Sequence, residues 1–228
     1  MIFSNLVAAA ALVSTLSSAA IQEPSNEDQT SETVIRAPGE IGEDKQAASL
    51  RNEELLQAII GSLEEVTTLT SDFKQTAPSG AVATGKLYLR RPGRARFEYD
   101  EPSPILIVAT QGNVYVEDRD LDQTDRYPIS KTPLRYLLDK KTDLEGVTIV
   151  ASEVVGDVVA VTLRAEDDET EGELTLVATL PDYKLAAWSI LDSQNGTTTV
   201  EISNAKYGEK IPNRQFRAPE AGGAFINN

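Results

Sequence analysis

Cysteine and histidine are both absent from the 228 residues of this chain. Without histidine it lacks the usual general base and the commonest metal ligand. Without cysteine it can form no thiol nucleophile, zinc thiolate site, iron–sulfur cluster or disulfide. Catalysis would have to draw on Ser/Lys, tyrosine or carboxylate chemistry. Positive charge is also scarce: 21 Lys and Arg stand against 36 Asp and Glu, a net charge of −15. Such a balance disfavours nucleic acid, because phosphate attraction needs excess positive charge. Neither a GxxxxGK[ST] nor a GxGxxG sequence occurs, so no nucleotide cradle is expected.

Long apolar runs are missing but for one. Leu6 to Leu16 (LVAAAALVSTL) has the length of a signal-peptide core and is too short to span a bilayer. Ser18 and Ala20 are small residues at a cleavage spacing that frees Ile21. No Lys or Arg precedes the run, so the positive end rests on the terminal amine. Residues 1–20 are accordingly read as a signal peptide and the mature protein as exported.

Residues 21–48 read as a disordered acidic tether: residues 22–48 carry seven acidic and two basic residues, two prolines and little aliphatic periodicity. Residues 49–228 form the expected folded domain. It opens with a helix in which Leu55, Leu56, Ile59, Ile60, Leu63 and Val66 make one apolar stripe. Ser49 or Asn52 is its expected N-cap, with Glu53 and Glu54 in the first turn.

From Leu69 the period changes to two. Expected strands are Thr70–Thr76, Val82–Arg91, Arg94–Tyr99, Ile105–Thr110, Val114–Asp118 and Asp122–Tyr127, then Val147–Glu153, Val158–Ala165, Glu173–Thr179, Leu185–Asp192 and Thr197–Asn204. Turn signals separate them, among them Gly112-Asn113, Gly156-Asp157, Pro181-Asp182 and Asn195-Gly196. This pattern predicts a mainly β domain with one large antiparallel sheet, curved or barrel-like. The acidic run Glu166–Glu173 reads as a solvated hairpin loop. Between the two groups of strands, Thr132 is an expected N-cap and Pro133 suits a first helical position. Leu134, Leu137 and Leu138 then give a short helix an apolar face, which the hollow side of the sheet would bury. Lys140 and Lys141 read as the basic end of that helix.

Residues 85–102 read GKLYLRRPGRARFEYDEP. Alternation places Gly85, Leu87, Leu89 and Arg91 on one face and Lys86, Tyr88 and Arg90 on the other. Ala95, Phe97 and Tyr99 share a face in the next strand. A turn at Pro92-Gly93 brings the two apolar rows together, with Arg91 at the end of one. Two readings of the arginines stay open from pattern alone. Arg90, Arg91, Arg94 and Arg96 form a solvated rim at the turn, or Arg91 is buried and needs several acceptors. Phe73, Tyr88 and Trp188 suit core packing as well as a cavity wall.

These residues carry a resemblance. Phe73-Lys-Gln75, Gly85-x-Leu87, Arg91-Pro92 and an aromatic strand ending at Pro102 resemble the LolA-type outer-membrane lipoprotein carrier family, in its alphaproteobacterial form. The Thr132-Pro133-Leu134 helix and a closing strand at Ile211-Pro212…Phe216 follow in the family's order, so the resemblance runs from about Leu50 to Pro219. It implies an incomplete, half-open antiparallel barrel of about eleven strands, with an N-terminal helix and a lid helix over a hydrophobic cavity. The implied cargo is the acyl chains of outer-membrane lipoproteins. The implied partners are an inner-membrane ABC-type releasing complex and the outer-membrane receptor LolB, served by a periplasmic monomer that needs no cofactor.

Arg91 takes the place of the family's arginine that locks the lid to backbone carbonyls. Leu134, Leu137 and Leu138 take that of the lid helix, and Leu87, Leu89, Ala95, Phe97 and Tyr99 that of the acyl-chain cavity. Enteric members carry an aromatic at the position of Ala95, so the lining departs from theirs. The acidic tether is likewise not a family feature. A carrier of another lipid, of glycolipid or hopanoid type, and a lipid-sensing regulatory module remain alternatives. Carboxylate pairs such as Asp118/Asp120 and Asp167/Asp168 read as solvated loop residues, so no catalytic, cofactor or metal site is expected.

Overall fold

A computed structural model describes residues 40–165 and 172–219, with side chains from residue 48 onward. The expected signal peptide, most of the expected tether, and Asp167 and Asp168 in the acidic run lie outside the described residues.

Helix α1 spans Glu40–Glu65. It begins well before the expected caps, so Ser49, Asn52, Glu53 and Glu54 are interior helical residues. Asn52 instead accepts a hydrogen bond from the Ser152 hydroxyl through Oδ1 at 2.6 Å. The apolar stripe packs as its spacing dictates: Leu56, Ile59, Ile60 and Leu63 are buried. They face β7 (Val147–Val155), β8 (Val158–Ala165) and β10 (Lys184–Leu191).

All eleven expected strands form. The first group is β1 (Thr68–Thr76), β2 (Val82–Arg90), β3 (Arg94–Tyr99), β4 (Ile105–Thr110), β5 (Asn113–Asp118) and β6 (Gln123–Pro128). After β7 and β8 come β9 (Glu173–Thr179), β10 and β11 (Thr197–Tyr207). They make one antiparallel sheet in the order β6-β5-β4-β3-β2-β1-β11-β10-β9-β8-β7. Each half is a meander, and the halves join where β1 pairs with β11. The sheet does not close. Its edges, β6 and β7, follow one another in the chain and are linked through helix α2 (Leu134–Leu138). One hydrophobic core nevertheless unites Val114 and Val116 near one edge with Val159 and Val161 near the other, together with α1 and α2.

The segment Ile211–Phe216 is not the expected closing strand. Pro212 has no N–H to give a ladder, and Asn213–Phe216 form a 3-10 turn against β3 and β4. The opposite face of β4 is part of the common core, so this strand is buried at every position and reads as an unbroken apolar run. Arg90 fastens the turn. Its guanidinium donates to the Ile211 carbonyl and to Asn213 Oδ1 at 2.7 Å, and stacks 4.8 Å from the Phe216 ring centre. Arg90 is therefore not part of a solvated rim. The Asn195-Gly196 hairpin is also wider than a two-residue turn. Asp192 Oδ1 accepts from the Gln194 and Gly196 backbone amides at 2.9 and 2.7 Å.

Candidate functional site

The floor of the site is the inner face of β1, β2 and β3. Strand alternation buries Gly85, Leu87 and Leu89 on β2 and Ala95, Phe97 and Tyr99 on β3. Leu87 lies opposite Phe97, and Leu89 opposite Ala95. Gly85 pairs with Phe73 on one side and Tyr99 on the other. A methyl group at Gly85 would sit 2.7 Å from Phe73 Cε1 and 2.2 Å from the Glu98 carbonyl oxygen. Only glycine lets Phe73 lie across that strand. The ring then meets Tyr99 and Phe97 edge to face, with centres 5.0 and 5.6 Å away, and Phe97 meets Trp188 at 6.1 Å. Such T-shaped contacts suit the ring quadrupoles.

The roof is α2, entered from a 3-10 turn at Ile129–Lys131. Thr132 does not cap it. The Thr132 hydroxyl donates to the Ile129 carbonyl at 2.9 Å, and Pro133 occupies the cap position. Leu134, Leu137 and Leu138 face the floor, and Tyr136 is buried with them. Tyr136 escaped the apolar pattern because Arg135 covers its other side. That guanidinium stands 4.6 Å from the ring centre and donates to the Tyr136 hydroxyl at 2.5 Å.

Arg91 stands where the roof, floor and α1 meet. The residue is 9% exposed. One arm of the guanidinium donates to the Leu63 carbonyl in the last turn of α1, and the other to the Asp139 carbonyl just after α2. The same turn adds Gly93 N–H to the Leu138 carbonyl at 2.8 Å and Arg91 N–H to the Thr67 carbonyl at 2.9 Å. The last carbonyls of a helix have no partner within it, and here the β2–β3 turn supplies partners to both helices. Burial lowers the Arg91 pKa, while Glu64 and Asp139 oppose that shift. A guanidinium stays charged in proteins regardless. Burial raises the Asp139 carboxyl, against the pull of Arg135 and Arg91.

Between floor and roof lie two small apolar cavities, of about 20 and 60 Å³. The first, nearer Arg91, touches Leu87, Leu89, Ala95 and Leu138, with Leu63 and Val66 from α1. The second touches Tyr99, Ile107, Ile190 and Val200. Phe97, Leu134, Leu137 and Trp188 line both and form the partition between them. Volumes of this size admit one to a few waters, so the site as it stands has no room for an acyl chain. Two of the partition residues belong to α2, and lifting that short helix would merge the cavities.

The profile of the family described as outer membrane lipoprotein carrier protein LolA matches residues 64–219, which span the floor, the roof and the whole sheet. The chain belongs to the LolA family. An outer-membrane lipoprotein carrier protein of Pseudomonas aeruginosa is 24% identical over 71% of this chain and 81% of its own length. An uncharacterised protein of Rickettsia prowazekii is 26% identical over 50% of the chain, which spans only 54% of that relative. Among solved structures, a LolA superfamily protein of Nitrosomonas europaea superposes with a TM-score of 0.41 at 11% identity, covering 71% of this chain and 96% of that one. The floor, the roof and both cavities between them lie within the matched segment. Among the described residues no helix is long and apolar enough to cross a membrane.

Sequence reasoning missed Gln75 and Thr198, which line the second cavity. Phase alone could have found them, since each alternates with buried apolar neighbours on its strand.

Proposed function

We propose that this protein is a periplasmic carrier of lipoproteins. It is exported by residues 1–20 and acts as a monomer. It receives cargo from an ABC-type releasing complex of the inner membrane, holds the acyl chains beneath α2, and yields them to a LolB-type receptor at the outer membrane. The observation that supports this reading is the Arg91 clamp over an apolar space that is shut but roofed by a single short helix.

The energetics explain why a carrier would need the clamp. Buried acyl chains contribute about 0.8 kcal/mol per CH₂, so a cavity that opened freely would hold several chains too tightly to release them. Each charge-assisted bond from Arg91 is worth about 1.5–3 kcal/mol. Opening breaks two of them, and their loss is subtracted from the affinity for cargo. Arg91 is thus the lid lock. Leu134, Leu137 and Leu138 are the moving wall, and Leu87, Leu89, Ala95, Phe97 and Tyr99 are the surface against which chains lie.

Native mass spectrometry with lipid extraction, applied to protein purified from the periplasm, tests the cargo. Acylated lipoprotein or its acyl-bearing N-terminal peptide is expected. A glycolipid or hopanoid recovered at stoichiometric amount would replace the lipoprotein assignment.

A further inference from the structure

The second cavity, farther from Arg91, is apolar but for three polar side chains, and the apolar-carrier reading leaves those unused. Gln75, Tyr99 and Thr198 are each under one-tenth exposed and line the second cavity. The Tyr99 hydroxyl donates to Gln75 Oε1 at 2.7 Å, which leaves the Gln75 amide NH₂ to donate. The Thr198 hydroxyl is 5% exposed by residue, and no protein atom pairs with it. A buried hydroxyl without a partner costs about 1–3 kcal/mol. Thr198 takes the inner phase of β11 with Val200, and valine would fill that place at less cost.

We propose that Thr198 and Gln75 form a hydrogen-bonding subsite for the ester or amide carbonyl that joins an acyl chain to its headgroup. The subsite offers donors from the two side chains, and a carbonyl is an acceptor with no hydrogen of its own. Placement agrees. On β1, Leu69, in the cavity near Arg91, and Gln75 are six positions apart, a distance of about 20 Å along the strand. A long acyl chain anchored at Gln75 would run through the partition of Phe97, Leu134, Leu137 and Trp188 toward the lock. Beyond Gln75 and Tyr99 the floor opens into a groove of about 220 Å³. Asp100, Glu101 and Ser103 line that groove, so the headgroup would leave the cavity past carboxylates. These repel an anionic phosphate and tolerate the neutral glyceryl and peptide groups of a lipoprotein. The proposal rests on the carrier reading and names the part of the cargo that the protein recognises.

The test uses two pyrene probes on the intact protein, a pyrene-labelled diacylglycerol and 1-dodecylpyrene, which has no carbonyl. Thr198→Val should weaken the diacylglycerol about threefold to tenfold, as expected for one neutral hydrogen bond. It should leave 1-dodecylpyrene unchanged, and Thr198→Ser, which keeps the hydroxyl, should restore the parent value. Gln75→Leu should follow Thr198→Val. If Thr198→Val alters both probes equally or neither, the subsite is overturned while the carrier reading stands. If the parent binds neither probe, the carrier reading fails and the subsite falls with it. A second arm compares a diacylated lipopeptide with phosphatidylglycerol. Tighter binding of the lipopeptide supports the lipoprotein carbonyl, and equal or tighter binding of phosphatidylglycerol overturns that source.

Discussion

Arg91 and Arg90 are adjacent in sequence and serve opposite faces of the sheet. Arg91 follows the buried row of Leu87 and Leu89 and reaches two helix ends, whereas Arg90 pins the chain after β11. Arg91→Leu should therefore act on the lock. Without the guanidinium the Leu63 and Asp139 carbonyls lose a donor and the empty closed state is weakened. Affinity for a fluorescent acyl probe should rise by up to about 3–6 kcal/mol, two bonds of about 1.5–3 kcal/mol each, and transfer to the outer-membrane acceptor should slow. Transfer at the parent rate would remove Arg91 from the mechanism. Arg90→Leu is not a silent control, because it releases the turn carrying Phe216. Its expected signature is a lower melting temperature with unchanged acyl-probe affinity per folded molecule.

The phase of Arg91 was legible in the alternation of its strand, but its acceptors were not. They are backbone carbonyls 28 positions before and 48 positions after it, and no side-chain pattern announces them. Nor did alternation reveal what covers the outer face, so Arg90 read as solvated.

Asp72 and Lys86 form a further residue-scale pair, cross-strand partners on the outer face of β1 and β2. The Asn204 amide, donating at 2.7 Å, and the Lys86 ammonium hold the Asp72 carboxyl below the ordinary carboxylate range. A carboxyl depressed in the folded state adds stability above its unfolded pKa and loses that contribution as pH falls through the lower folded value. Acid titration of the melting temperature should thus fall more steeply for the parent than for Asp72→Asn in the strongly acidic range. Equal slopes would assign the acid sensitivity to other carboxylates.

At the scale of elements, strands were easier to read than helix ends. Alternation marks a strand along its whole length, and β3, β4, β8 and β9 begin and end where the pattern does. The start of α1 was hidden because the criterion was apolar spacing, and packing against the sheet begins only near Leu55. Glu, Lys, Gln and Ala between Glu40 and Ala48 have adequate helix propensity to extend a helix already nucleated by packing. Ala48 and Ser49 are exposed and Leu50 is 60% exposed, so these residues bury little apolar surface. A chain starting at Ala48 should accordingly melt within a few degrees of the parent. A much larger fall, followed by circular dichroism, would mean that the removed residues pack on the sheet.

For the whole molecule, the open sheet leaves two edges, managed differently. Strand β6 (QTDRYP) is polar and ends in proline, both of which discourage pairing with another chain. Strand β7 shows apolar side chains instead: Val150, Val154 and Val155 are 41%, 36% and 63% exposed. Val155→Lys should reduce self-association at high concentration in light scattering. Its effect on stability should stay within about 0.5 kcal/mol, as for most surface substitutions. Unchanged scattering would show that this edge does not drive association.

The order of strands also means that the molecule could survive being cut in two. The one covalent link between the halves, the run through α2, would be gone if the chain were nicked at Lys140-Lys141, both exposed. Every ladder would persist, because β1–β6 and β7–β11 are separate meanders zipped together by β1 against β11. The roof helix and its bonds to Arg91 and Gly93 would stay with the N-terminal fragment. Brief trypsin treatment should therefore yield two fragments that co-elute under native conditions, part in denaturant and recombine on its removal: a fold open to fragment complementation, with α2 tied to one edge of the sheet instead of two.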